Sequence, residues 1–239
     1  MNKTNKKILC VVPARGGSKS IPRKNLQVVA GVSLVGRAAL IIQELGYIDR
    51  AIVSTDDIEI AEEAVKYGLE APFMRPERLS QDLSTSLDMW KHAWISAENY
   101  YDEIYDVSIL LEPTSPLRRP EDITTTVNKI INEKYAAAVT VSKNPAHFTP
   151  EKTLVINLEG EIDYFIGSEG KAHHNRQTIP DYYHRNGVCY AVTRDHLLVK
   201  NKILENSCPV VIDRQIVNID EPFELDLVSW LLGNKTKKA

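Results

Sequence analysis

Short apolar runs and helix-period segments take turns along this chain, and that alternation limits what it can fold into more than any other property. Ile8 to Val12 (ILCVV) is an apolar run stopped by Pro13, the pattern of a strand buried on both faces. Ser33 is placed to cap a helix in which Leu34, Val35, Ala38, Ile41, Ile42 and Leu45 recur at helical spacing before Gly46. A second strand, Ala51 to Thr55, leads into a helix that Asp56 or Asp57 caps, that runs through Lys66 and that Gly68 ends. Strand, helix, strand, helix in that order implies parallel strands and an α/β domain. The pattern continues with a long helix over 84–100, whose Leu87, Trp90, Ala93, Trp94 and Ala97 share one face and belong to the core. A strand over Val107 to Leu111 follows. Pro120 then opens a helix reaching Glu133 that buries Ile123, Val127, Ile130 and Ile131, and a further strand covers Ala137 to Val141.

From 142 to 184 the pattern changes. Prolines and four of the six histidines gather here, and Leu154 to Ile156 is separated from Tyr164 to Ile166 by the polar turn Glu159-Gly160-Glu161, as in a hairpin. The segment reads as a subdomain inserted into one domain spanning 1–239. The main pattern resumes with Gly187 to Val192 (GVCYAV), a helix from Arg194, a strand at Val210 and Val211, and a last helix from Glu221 to Leu232. With 239 residues, 43% of them apolar, the chain is long enough to bury one large core. The polar start MNKTNKK leads straight into a strand, so the expectation is a cytoplasmic protein that does not enter membranes. Cys10, Cys189 and Cys208 lie far apart without C-x-x-C spacing, which argues for buried thiols rather than disulfides or zinc.

Between the first strand and the first helix lies VVPARGGSKSIPRKNL, residues Val11 to Leu26. It holds four cations, Arg15, Lys19, Arg23 and Lys24, in a chain whose net charge is −3. One basic loop on a mildly acidic chain does not suit nucleic acid, which calls for a basic domain; it points to a local anion. A Walker A loop requires G-x-x-x-x-G-K-[ST] running into a helix, but Ser18 separates Gly17 from Lys19, and Pro22 disfavours a helical Ile21 and gives an extended exit. A dinucleotide fingerprint requires three glycines, and only Gly16 and Gly17 are present. What remains is an anion nest at a strand exit: backbone N–H groups freed by two glycines, a serine hydroxyl, and converging cations.

ARGGSKSIPRKNL resembles the first signature of the CMP-sialic acid synthetases (N-acylneuraminate cytidylyltransferases). The likeness continues in order through IVSTDD (Ile52 to Asp57), RPERLSQDLSTS (Arg75 to Ser86), LLEPTSPLR (Leu110 to Arg118), HRNGVCYAV (His184 to Val192) and NIDEPFELD (Asn218 to Asp226). The resemblance implies a three-layer, nucleotide-diphospho-sugar transferase-like (Rossmann-like) α/β fold, with a mixed, mostly parallel sheet and the insert as a dimerisation subdomain. It also implies an Mg²⁺-dependent reaction in which CTP and a nine-carbon 2-keto sugar acid give the CMP-sugar and pyrophosphate. Kdo cytidylyltransferases carry a loop like ARxxSxRLPxKxL, from which GGSKSIPRKN departs. A CMP-Kdo synthetase-type enzyme and a non-catalytic nucleotide-sugar-binding module are the alternative readings.

Attack of an anomeric hydroxyl on the α-phosphorus of CTP demands alignment and charge neutralisation above all. By resemblance, Arg15, Gly16, Gly17, Ser18, Lys19, Lys24 and Asn25 hold the phosphates, with Arg15 and Lys24 the chief catalytic cations. Arg75 and Ser86 contact the nucleotide, although Arg75 could instead pair with Glu77 or Asp82. Asp220 and Asn218, two apart on one face of a strand end, hold Mg²⁺. The family usually has Asp at both positions, so Asn218 brings an amide oxygen without charge. Glu221 would point away and serve as an acidic charge at a helix N-terminus. Glu112, Thr114 and Asn186 face the sugar, while Lys152 and Arg176 reach from the insert into the neighbouring subunit of a homodimer. Glu112 stands where the family commonly has glutamine. An ionised carboxylate only accepts hydrogen bonds, which suits a substrate rich in hydroxyl or N–H donors, such as a diacetamido sugar of the legionaminic or pseudaminic type. His173, His174 and His184 lack the spacing of a metal site and read as surface or interface residues.

Overall fold

The structure, a computed structural model, describes residues 5–167 and 179–235. In chain order its elements are β1 (Ile8–Pro13), β2 (Val28–Val29), β3 (Val32–Ser33), α1 (Leu34–Gln43), β4 (Arg50–Ser54) and α2 (Ile58–Lys66). Then come α3 (Ser86–Tyr101), β5 (Val107–Leu110), α4 (Pro120–Ile131), β6 (Ala137–Lys143), β7 (Leu154–Ile156) and β8 (Ile162–Tyr164). The last are β9 (Tyr183–Thr193), β10 (Cys208–Val211) and α5 (Pro222–Lys235).

The main sheet has six strands in the order β10-β6-β9-β5-β1-β4. β1 runs parallel to β4 and β5, and β10 parallel to β6, while β9 is antiparallel to both its neighbours. The period of two in strand side chains divides the core. Ile8, Cys10 and Val12 of β1 pack with α1, α2 and α4, whereas Leu9 and Val11 pack against α3 on the opposite face. Trp90 and Trp94 of α3 are fully buried there, and their indole N–H groups donate to Ser108 Oγ at 2.9 Å and Glu98 Oε1 at 3.0 Å. The tryptophans are thus core, as their spacing implies, and truncating either to alanine would cost about 3–5 kcal/mol. Among the described residues no helix is long and apolar enough to cross a membrane.

Ser33 caps α1 through Gly36 N, and of the two aspartates Asp57 caps α2. The long third helix begins two residues later than its pattern implies, because Thr85 rather than a residue before Ser84 supplies the cap. In the hairpin, the second arm covers Ile162–Tyr164, not Tyr164 to Ile166; Asn157 Oδ1 accepts from Glu159 N and Glu161 N and closes the turn early. The helix from Arg194 is one short π-type stretch, Asp195–Val199. Cys10 and Cys189 are buried free thiols and Cys208 is half-buried; burial pushes Cys189 up to about 12.

Candidate active site

The basic loop leaves β1 at the C-terminal edge of the parallel strands, where open α/β sheets bind ligands. Gly16 N donates to Asp56 Oδ1 at 3.0 Å, and a Cβ at residue 16 would stand 2.7 Å from Asp57 Oδ2, so only glycine fits against the cap of α2. A Cβ at Gly17 would meet open space. Asn25 is buried and its amide donates to Arg15 O at 2.9 Å, tying the two ends of the loop. The chain after Pro22 is a turn rather than the extended exit its proline suggests. Arg23 takes φ 55° and a 3-10 turn, Lys24–Leu26, follows, because Pro22 restricts the residue before it and leaves the residues after it free to turn. Arg23 is directed away from the others, to Asp57 and Glu59. Lys24 points inward, donating to Ile219 O at 3.0 Å and Asp220 Oδ1 at 3.2 Å.

The facing wall comes from the exits of β5 and β9. Where β6 pairs with β9, the register jumps from Val139↔Tyr190 to Val141↔Arg185, so Asn186 to Cys189 bulge out of the ladder. The Thr140 hydroxyl spans the bulge, accepting from Cys189 N and donating to Cys189 O at 2.9 and 3.0 Å. At its crest Gly187 has φ +67°, and a Cβ there would lie 2.5 Å from Glu112 Oε2 and 2.8 Å from Ser115 Oγ. Buried Arg118 locks the two exits together, donating to Val188 O at 3.0 Å, to Gly187 O at 3.2 Å and to Glu112 O. Burial lowers its pKa to about 10, with Glu112 and Asp122 among the groups opposing, so it stays a cation at neutral pH. Ile219 N donates to Thr114 O at 2.8 Å, which brings the NIDE segment onto this wall.

Between the walls lies a cavity of about 460 Å³. Of the residues named from the sequence, Arg15, Lys24, Asn25, Arg75, Ser86, Glu112, Thr114, Asn218 and Asp220 line it. Gly16, Gly17, Ser18 and Lys19 sit on the same loop outside its lining. Asn186 is buried beneath it, with Nδ2 donating to Ser142 Oγ at 3.0 Å and Oδ1 accepting from Val188 N at 3.2 Å, so its amide serves the bulge. Lys152 lines a separate cavity of about 290 Å³ with Pro145, Ala146 and His147. Arg176, His173 and His174 fall outside the described residues. His184 meets Asn144 Oδ1 at 2.5 Å on the surface. Glu224, not Glu221, closes the N-terminus of α5, its Oε2 accepting from Asp220 N at 2.6 Å and Glu221 N at 2.8 Å.

Arg75 pairs with neither Glu77 nor Asp82. It is buried and donates to the backbone carbonyls of Ser54 and Leu79, while its buried Nε has no partner among the described residues. Burial lowers its pKa, with Asp56 opposing. Asp82 instead takes Arg15 and Lys19. On the other wall, burial pushes the Glu112 carboxyl above its ordinary range; Arg118, Arg185 and Lys24 oppose that shift and Asp220 adds to it. Sequence reasoning passed over Ser115, Arg118 and Gly187. The signal available was an arginine and a serine in a strand-exit block, LLEPTSPLR, facing a glycine in another.

The donor set suits a hard divalent cation. Ser115 has one hydroxyl proton, yet its Oγ lies 3.0 Å from both Asn186 O and Asn218 Oδ1, while Asn218 Nδ2 lies 3.2 Å from Asp220 Oδ2. Turning the isosteric amide over gives Ser115 a donor and sets two oxygens, Asn218 Oδ1 and Asp220 Oδ2, side by side. In that orientation a carboxylate and an amide oxygen, ligand types that Mg²⁺ takes, would face one another beside Lys24.

A parallel sheet edge where cations converge opposite carboxylates has the charges that nucleotidyl transfer from a triphosphate requires. The chain belongs to the cytidylyltransferase family, whose profile matches residues 9–200. It is 31% identical to the pseudaminic acid cytidylyltransferase of Campylobacter jejuni over 229 residues, 94% of this chain and 96% of that one. It is 30% identical to the CMP-N,N'-diacetyllegionaminic acid synthase of Legionella pneumophila over 239 residues, 96% of this chain and 95% of that one. Among solved structures, a CMP:2-keto-3-deoxy-manno-octonic acid synthetase complexed with CTP matches with a TM-score of 0.71 and 20% identity. The match covers 96% of this chain and 99% of that one, a likeness of fold.

Proposed function

We propose that this chain transfers CMP from CTP to the anomeric hydroxyl of a nine-carbon, sialic-acid-like 2-keto sugar acid, releasing pyrophosphate. The observation that carries the reading is the single cavity in which Arg15, Lys24 and Arg75 stand opposite Glu112 and Asp220. Arg15 and Lys19 bind the β- and γ-phosphates, Arg75 and Ser86 hold the nucleotide, and Lys24 follows the charge that grows between α-phosphate and leaving group. Mg²⁺, held by Asp220 with Asn218, supplies further neutralisation of the triphosphate when bound. Glu112 and Thr114 accept from the sugar's donors, and Arg118 keeps Glu112 in place. The name of one relative, a CMP-N,N'-diacetyllegionaminic acid synthase, supports a diacetamido sugar, as does the carboxylate at 112.

A homodimer is part of the proposal. Leu154, Ile156, Leu158, Ile162 and Phe165 are all exposed on and beside the β7–β8 arm, which among the described residues pairs with no other strand, and a second copy would cover them.

The test is pyrophosphate release from CTP with a panel of nonulosonic acids and Kdo. Turnover of a diacetamido acid above N-acetylneuraminate supports the whole reading. Equal turnover of N-acetylneuraminate removes the diacetamido branch, preference for Kdo replaces the sugar class, and binding without turnover replaces the enzyme by a binding module.

A further inference from the structure

Two cations of the basic loop are already occupied. Arg15 NH1 donates to Asp82 Oδ1 at 3.1 Å, and Lys19 Nζ pairs with Asp82 Oδ2. Arg15 and Asp82 both line the cavity, so the carboxylate sits among the groups that a polyphosphate would use. Asp82 is carried on the six-residue link between the 3-10 turn Glu77–Leu79 and α3. That link is braced within itself: Ser84 N donates to Gln81 O at 3.0 Å, Ser84 Oγ to Arg78 O at 2.8 Å, and Thr85 caps the helix at Asp88 N. The Asp82 carboxylate is therefore delivered from a fixed base, and only its side chain has to turn to free both cations. Its two partners hold it well below the usual carboxylate range, Lys19 foremost, so it is a full anion at neutral pH.

We propose that Asp82 is a built-in competitor for the β- and γ-phosphates: it orients Arg15 and Lys19 in the free enzyme, yields to CTP, and retakes both cations as pyrophosphate departs. The proposal rests on the nucleotide reading of the cavity but not on which sugar is used. A diphosphate fragment held by two unopposed cations would leave slowly; a resident carboxylate lowers the net gain from each contact and shortens its stay. A nucleoside monophosphate, lacking the β- and γ-groups, has nothing to exchange with Asp82.

The experiment compares Asp82→Asn, which keeps shape and removes charge, with the parent by calorimetric titration of inorganic pyrophosphate, CTP and CMP in Mg²⁺, without sugar. Pyrophosphate and CTP are expected to bind about three- to tenfold tighter in the variant, the size two exposed ion pairs carry, with CMP unchanged. Product inhibition by pyrophosphate should strengthen in step. Unchanged or weaker pyrophosphate binding would overturn the proposal, as would an equal gain for CMP. Should Asp82→Asn not fold, Asp82→Ser serves in the same titrations: tighter pyrophosphate and CTP with CMP unchanged is the expected result, and no gain for pyrophosphate overturns the proposal. A chain that turns over no nonulosonic acid yet shows the predicted pyrophosphate shift loses the function above and keeps this inference.

Discussion

Lys24 Nζ lies 3.2 Å from Asp220 Oδ1, joining the basic loop to the NIDE segment 196 residues further along the chain. In the proposed reaction the cation would stand between the triphosphate and the carboxylate that would hold Mg²⁺. Lys24→Ala should lower kcat/KM about 10²- to 10³-fold, the loss seen when one preorganised charge is removed from a transition state. Its melting temperature should stay near the parent's. Steady-state pyrophosphate release and calorimetry check both halves.

Gly187→Ala places a methyl 2.5 Å from Glu112 Oε2 on a backbone with φ +67°. The left-handed conformation costs about 1–2 kcal/mol for alanine, and Glu112 must move. The expected result is a raised KM for the sugar with CTP affinity retained, read by titrating each substrate separately. Weakened CTP binding alone would show that the bulge serves the nucleotide.

The raised pKa of Glu112 has a sign that can be measured. Burial makes the folded chain bind this proton more tightly than the unfolded chain, so stability falls as pH rises from the unfolded value through the folded one. Glu112→Gln removes that cost. Relative to the parent, its melting temperature should gain as pH rises above the ordinary carboxylate range. Parallel curves for the two proteins would place the cost elsewhere.

Glu98 supports the far end of the sheet. Its carboxylate accepts from Arg194 Nε and NH2, both at 2.9 Å, from Trp94 Nε1 at 3.0 Å and from Tyr105 N at 3.3 Å. Burial alone would raise its pKa; these bonds, Arg194 first, bring it below the ordinary value, so the stability they confer is present above that value and lost as pH falls through the folded one. Because Arg194 keeps 42% of its side chain exposed, Glu98→Ala should cost about 2–3 kcal/mol, toward the low end for breaking a buried pair. Thermal melts at neutral pH would show it, with turnover per folded molecule unchanged.

Ile156→Lys with Leu158→Lys adds two charges to the β7–β8 arm, where Leu158 is fully exposed. Sedimentation should show a dimer in the parent and a monomer in the variant. A dimer in both would move the interface elsewhere.

The alternation of strands and helices was legible because period-two and period-3.6 patterns are local, and start signals such as the Ser33 cap and Pro120 in the first turn mark their own helices. Lys24, Asp220, Arg15 and Glu112 were legible as charges because they sit in compact blocks. What was not legible depends on meetings between distant blocks. Asp82 read as a partner for Arg75, which lies in the same block, but the fold carries Arg15 and Lys19 to it from more than sixty positions away. The bulge at Gly187 is a register shift between two strands, and no single-strand pattern encodes a register. Asn186 read as a ligand, and its amide turned out to be needed where Val188 N and Ser142 Oγ would otherwise lack partners.

The antiparallel course of β9 carries one more consequence. Because it enters the sheet at the edge where the parallel strands leave, the segment between β6 and β9 starts and finishes beside the cavity, and the ladder from Val141↔Arg185 to Lys143↔Tyr183 clamps its root. Everything beyond that clamp can be lengthened, shortened or exchanged without shifting Gly187 or Glu112 by a residue. The cavity's residues are therefore tied to the sheet through that clamp, independently of how long the excursion is.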